Sequence, residues 1–263
     1  MSGNATEKVG KTKARPGSRL AGTEEFLETD IHFLHIGKCA GTQIRNVSRQ
    51  LKEQSADRRI VKHGHAIFLR DLPPQADYFF SIRDPISRFR SGFYSRKRKG
   101  APRLYNKWSK YEKPVFAEFP HANDLAESLF AEGPLGPRAW AAIKSMGHTG
   151  QNQSDWFCPC GTFLDIRPPL WIIRQERFDE DLQTFLQVTG LAAHGASLTV
   201  SRDSLQAHAN DYSDVPPLSD LAKANLRKWY VQDFEFYRMC DAWLDEMKDK
   251  PAGTVSAMRF EAS

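Results

Sequence analysis

The chain reads as an α/β protein, a three-layer domain built on a central parallel sheet. Three observations lead there. Short apolar runs, above all Ile31–Ile36, Tyr78–Arg83 and Leu170–Arg174, have the length and content of buried strands. Each is followed by a segment of helical character. The junctions carry helix-start signals, clearest at Asp84-Pro85, where Asp serves as N-cap and Pro takes the first helical position. Strands alternating with helices imply a parallel sheet covered on both faces.

Taken in order, Ile31–Ile36 ends at Gly37. A helix follows from Thr42, with Ile44, Val47 and Leu51 on one face. Arg59–Val61 is a second short strand running into His63-Gly64-His65. The third, Tyr78–Arg83, leads into a helix that turns Phe89 and Phe93 inward and sets Arg88, Ser91 and Ser95 on another face. From about 97 to 161 the sequence is rich in Pro, Gly and aromatics and reads as an irregular insertion. Leu170–Arg174 is the last strand, followed by an amphipathic helix over Asp179–Val188 that Gly190 stops. Ser219 caps one long final helix, in which Leu226, Tyr230, Phe234 and Tyr237 recur at helical spacing.

Composition fits one such domain. Of 263 residues, 40% are hydrophobic and 11% aromatic, enough for a sizeable core, and 15 Pro with 17 Gly is ordinary usage. The domain spans 30–248, with 1–29 and 249–263 reading as tails. No segment has signal-peptide character, and none approaches the ~20 apolar residues of a membrane span; the expected location is cytoplasmic. Of the four cysteines, Cys158 and Cys160 have a metal-like spacing but no second ligand pair. Nothing in the spacing demands His148 as a third ligand, and no metal is expected. The net charge of +5 hides an asymmetry: ten basic residues and one acid, Glu112, lie between Arg88 and Lys113. The rest of the chain is acidic on balance, so that window points to an anionic partner.

In an open parallel sheet, ligands bind beyond the C-terminal ends of the strands. Three polar clusters fall there: Gly37–Gln43, His63–His65 and Arg83–Pro85. The first is a strand–loop–helix with Lys38 and Gly41, an anion site by virtue of its free backbone N–H groups and helix dipole. It is not a Walker A loop, because the lysine precedes the second glycine and no hydroxyl follows it to hold Mg²⁺. In the third, Arg83 offers a planar fork to a phosphate, and Ser91 lies two turns into the helix.

Together these clusters resemble the nucleotide-binding elements of the sulfotransferase superfamily. Phe33–Thr42 is similar to its 5′-phosphosulfate loop, and Tyr78–Ser91, with its Arg-Asp-Pro-x-x-Arg-x-x-Ser pattern, to its 3′-phosphate strand and helix. Leu226–Phe236 resembles the closing segment. The resemblance covers about 31–93 and 170–241. It implies a P-loop-kinase-like sheet, 3′-phosphoadenosine-5′-phosphosulfate as donor and no metal. Carried over, Lys38 and Cys39 lie in the donor loop, and Lys38 neutralises charge on the leaving oxygen. The amides of Ala40, Gly41, Thr42 and Gln43, with the Thr42 hydroxyl, hold the 5′-phosphate. Arg83 and Ser91 hold the 3′-phosphate. The family often has Pro-Lys-Thr where this chain has Gly37-Lys38-Cys39, and serine where it has Gln43.

An acceptor hydroxyl needs a group to take its proton, and imidazole titrates in the right range. His63-Gly64-His65 resembles the His-Gly-His of heparan and dermatan uronyl 2-O-sulfotransferases, which implies His65 as the base, with His63 beside it. The spacing alone leaves open which imidazole faces in. The resemblance is to the carbohydrate branch, in a soluble, bacterial-like form. The partner is then a hydroxylated, anionic saccharide or glycolipid, with Gln151–Trp156 expected on the acceptor side. Two other readings are a P-loop nucleotide or small-molecule kinase and a basic nucleic-acid-binding protein. The first has the wrong residue order, and the second leaves the three clusters without a purpose.

Overall fold

The computed structural model describes residues 26–102, 104–157, 163–199 and 212–250. Most of both expected tails, and Cys158 and Cys160, lie outside the described residues. The four strands, β1 (Ile31–Leu34), β2 (Ile60–Lys62), β3 (Asp77–Ile82) and β4 (Ile172–Arg174), form one sheet in the order β2-β1-β3-β4, with every pair parallel. Ile31 pairs with Ile60 and Asp77, and Phe80 with Ile172. All four residues of β1 are buried, as continuous apolar strands must be when helices cover both faces.

Helix α1 (Gly41–Glu53) follows β1 and buries Ile44, Val47 and Leu51, the face its periodicity marks out. Helix α2 (Pro85–Lys97) follows β3. Asp84 caps it, accepting a hydrogen bond from Ser87 N at 2.8 Å. This leaves Asp84 as a cap and not an ion-pair partner of Arg83.

The segment expected to be irregular holds three short helices, α3 (Glu112–Glu118), α4 (Ala122–Ser128) and α5 (Leu135–Ser145). They are too brief for periodicity to stand out. They exist because they share a second core with Phe89, Phe93 and Tyr94 of α2 and with Leu226 and Tyr230. After β4, α6 having preceded it at Phe163–Ile166, come α7 (Phe178–Val188), which ends at Gly190 with φ +76°, and the short α8 (Ala192–Gly195).

The final helix is two, α9 (Asp220–Trp229) and α10 (Val231–Lys248), broken at Tyr230. No Gly or Pro marks the break. Tyr230 is buried, with its hydroxyl donating to Thr149 O at 2.6 Å, and this tertiary anchor sets a backbone conformation (φ −99°, ψ 29°) off the helix. Ser219 caps α9 through Ala222 N.

The basic window is less free than its charge count implies. Arg88 is buried against Asp233 at 3.3 Å. Arg96 is buried against Glu112, with Nε to Oε1 at 2.5 Å and Nη2 to Oε2 at 2.8 Å. Burial works against the Glu112 charge, but hydrogen bonds from Arg96, Ser109 N and Gly147 N outweigh it and hold the carboxyl down at about 2. Glu112→Ala strands a buried guanidinium and should cost about 3–5 kcal/mol, read as a shift of the denaturation midpoint. In the wild type, the stabilisation from this pair is present above the unfolded glutamate pKa of ~4.3 and is lost as pH falls toward about 2. The variant should show a correspondingly weaker loss of stability on acidification.

Candidate active site

The C-terminal ends of β1, β2, β3 and β4 surround a cavity of about 430 Å³. Lys38, Ala40, Gly41 and Thr42 line it from the loop after β1, His65 from the loop after β2, and Arg83 and Ser91 from β3 and α2. No Asp or Glu is among its lining residues, whereas Lys38, Arg45, Arg83 and Arg96 are.

The loop after β1 owes its shape to backbone torsion. Lys38 and Ala40 both take left-handed conformations, with φ of 70° and 52°, and Ala40 is the N-cap of α1. Ser81 in β3 donates to Cys39 O at 2.5 Å, and Arg88 Nε to Gly37 O at 3.1 Å. Two glycines make room for imidazoles. A β-carbon at Gly41 would overlap His35, and one at Gly37 would lie 2.8 Å from His148 Nδ1. The glycine where the family often has proline is thus the neighbour of a histidine packed against it. Lys38 makes no ion pair among the described residues. Burial, with Arg83 and Arg98 adding to it, brings its ammonium down to about 8.

Arg83 also has no carboxylate partner among the described residues. Its Nε donates to Ser87 Oγ at 2.8 Å and its Nη1 reaches Lys38 O at 3.4 Å, so it is oriented without being neutralised. Ser91 is 2% exposed and faces this cavity from α2.

The two histidines after β2 part company. His63 is buried and turned to His32, the rings stacked 5.1 Å apart with Nε2 2.8 Å from His32 Nδ1, and does not line the cavity. Burial, with His32 and Lys62, brings it to about 4. His65 faces the cavity. Its Nδ1 lies 3.0 Å from His35 O, and Trp156 Nε1 donates to His65 O at 3.1 Å. A carbonyl can only accept, so Nδ1 carries the proton and Nε2 keeps its lone pair. Desolvation holds the His65 imidazole below the usual histidine range. The His35 hydrogen bond works against that, and Lys62 and Lys38 work with it. The His35 ring lies 4.0 Å from His65 and that of His148 5.5 Å. Burial keeps both neutral, His35 at about 2 and His148 at about 3.

Cys39 and Gln43 do not line the cavity. The Cys39 thiol is fully buried, 3.3 Å from Gln153 Oε1, and burial raises it to about 12. Of Gln151–Trp156, expected on the acceptor side, none lines the cavity; Gln151 and Asp155 are exposed, but two of the stretch turn inward. Gln153 is wholly buried, taking Arg83 N and giving to Arg83 O, and Trp156 is 1% exposed. Sequence reasoning gave no role to several lining residues, among them His35, Arg45 and Gln175. Gln175 follows β4 directly, so the rule that located the other three clusters reaches it too. His148, weighed in the sequence only as a third metal ligand or a substitute base, comes from the insertion to line the cavity.

Among the described residues the cavity is thus lined by cations and no carboxylate, and it carries an oriented neutral imidazole. The family model described as "Sulfotransferase family" matches residues 27–238, and the chain belongs to that family. No curated protein matches the chain. Among the described residues no helix is long and apolar enough to cross a membrane.

Anion binding should report on Lys38. An anion restores the charge that burial disfavours, so binding takes up a proton once the free lysine is neutral. Sulfate, which does not titrate near neutrality, should bind with affinity independent of pH from about 8 down to the range in which His65 takes up a proton. Above that value its affinity should fall toward about tenfold per pH unit. Lys38→Met should bind sulfate more weakly and without this dependence, as read by calorimetry.

Proposed function

We propose that the protein transfers the sulfuryl group of 3′-phosphoadenosine-5′-phosphosulfate to a hydroxyl of an anionic saccharide or glycolipid, with His65 as general base. The hydrogen bond between His65 Nδ1 and the His35 carbonyl carries this reading, because it leaves Nε2 as a proton acceptor at the mouth of the cation-lined cavity. The acceptor oxygen attacks sulfur as its proton passes to His65 Nε2. The bond from sulfur to the 5′-phosphate oxygen breaks, and Lys38 meets the charge that develops on that oxygen. Arg83 and Ser91 hold the 3′-phosphate, while the N–H groups opening α1 and the Thr42 hydroxyl hold the 5′-phosphate. His63 supports the loop through His32.

Acceptor charge fits the outer surface. Arg98, Lys107, Lys110 and Lys113 are exposed, and the same insertion lends Gly100, Leu104 and Asn106 to the cavity wall. A saccharide reaching His65 past this wall crosses a positive field.

His65→Ala should lower kcat by about 10²–10⁴-fold and leave donor-nucleotide binding intact. The wild-type profile of kcat/KM should fall on the acid side, with its midpoint below the ordinary histidine value of 6.5, because the neutral form is the active one. That limb should be missing in the variant. A folded His65→Ala protein with near-wild-type kcat sets the base elsewhere.

A further inference from the structure

Gln175 has no role in the account so far, yet it lies inside the donor site. It is the first residue after β4, and its neighbour fixes the local chain: Glu176 accepts from Asp84 N at 2.9 Å and from the Tyr237 hydroxyl at 3.3 Å. From that base the Gln175 side chain lines the cavity, and its Oε1 accepts a hydrogen bond from Ala40 N at 3.1 Å.

Ala40 is the left-handed N-cap of α1, in the loop whose N–H groups would face a bound anion. One of the amides expected to hold the phosphate is therefore already taken by a side chain. With Oε1 committed to the loop, the other half of the same planar amide, the Nε2 donor pair, has no partner among the described residues. Because an amide presents acceptor and donor on opposite sides, fixing one fixes the direction of the other.

We propose that Gln175 is a donor-binding residue that clamps the phosphate loop to the nucleotide, its Oε1 holding Ala40 N–H while its Nε2 donates to a phosphate oxygen of the bound donor. This rests on the donor reading above. The amide supplies hydrogen bonds without charge, in a site that already concentrates cations, and couples the shape of the loop to occupation of the site.

The test is calorimetric binding of adenosine 3′,5′-bisphosphate to the wild type, Gln175→Met and Gln175→Glu, with unfolding midpoints as a check on folding. The wild type should bind the bisphosphate more than tenfold more tightly than AMP. Failure of that comparison overturns the donor reading, and the Gln175 assignment with it. Given that preference, Gln175→Met, which loses acceptor and donor, should bind about tenfold more weakly. Gln175→Glu keeps an acceptor for Ala40 N–H but replaces the donor by a charge. It should bind at least as weakly as Gln175→Met near neutral pH and recover as pH falls through the carboxyl range. Two results overturn the proposal. If Gln175→Met binds as tightly as the wild type or tighter, the amide merely occupies the empty site. If Gln175→Glu matches the wild type at neutral pH, the side chain only braces the loop.

Discussion

The candidate site hangs on one buried polar knot formed by Arg88, Asp233 and Gln153. Arg88 donates to Gly37 O, to Gln151 O and to Asp233. Asp233 in turn accepts from Gln153 N at 2.5 Å, and the Gln153 side chain ties both backbone groups of Arg83 and the Cys39 thiol. The anion loop, α2, the end of the insertion and the start of α10 thus meet in one network. Its members are 0–1% exposed, so their polar groups depend on partners within the protein, and Arg88 Nη2 is left without one among the described residues. Burial raises the Asp233 carboxyl to about 6 in spite of Arg88, a measure of what it costs to keep a charge there. Such a network adds less to stability than to specificity of arrangement. Here it sets where Arg83 and the Gly37–Ala40 turn can be.

The cavity is the converse. Inside the knot Arg88 is matched by Asp233, whereas at the cavity Lys38 and Arg83 are held by hydrogen bonds or torsion with no counter-ion among the described residues. An unmatched cation at a part-buried position destabilises the empty protein, and an anionic ligand relieves it. The depressed Lys38 ammonium and the three imidazoles kept below the usual histidine range express the same condition. The cavity therefore favours an anion, and the chain belongs to the sulfotransferase family.

Much of this was legible in the sequence because it is local. The apolar runs, the Asp84-Pro85 junction and the glycine after Ile36 depend on neighbours in the chain, and with them came the sheet and the sites at its strand ends. What failed was what depends on distant partners. Arg88 looked like one charge among ten, but its partner lies 145 residues away. His63 and His65 could not be told apart until His32 and His35, each about 30 residues back, claimed one each. Gln153 sits in a polar stretch that suggests a surface, and only the knot explains its burial. The insertion's helices and the break at Tyr230 come from a second core assembled from five segments of chain, which no window of residues displays.

The central claim is that these groups together move a sulfuryl group, and the direct measurement is transfer of radiolabel. The protein is incubated with 3′-phosphoadenosine-5′-phosphosulfate labelled in its sulfur, in the presence of a metal chelator, with acidic and neutral oligosaccharides offered side by side. The account predicts label on an acidic saccharide, in an alkali-stable ester, with adenosine 3′,5′-bisphosphate released in equal amount. Label on none of them, or transfer that the chelator abolishes, contradicts it.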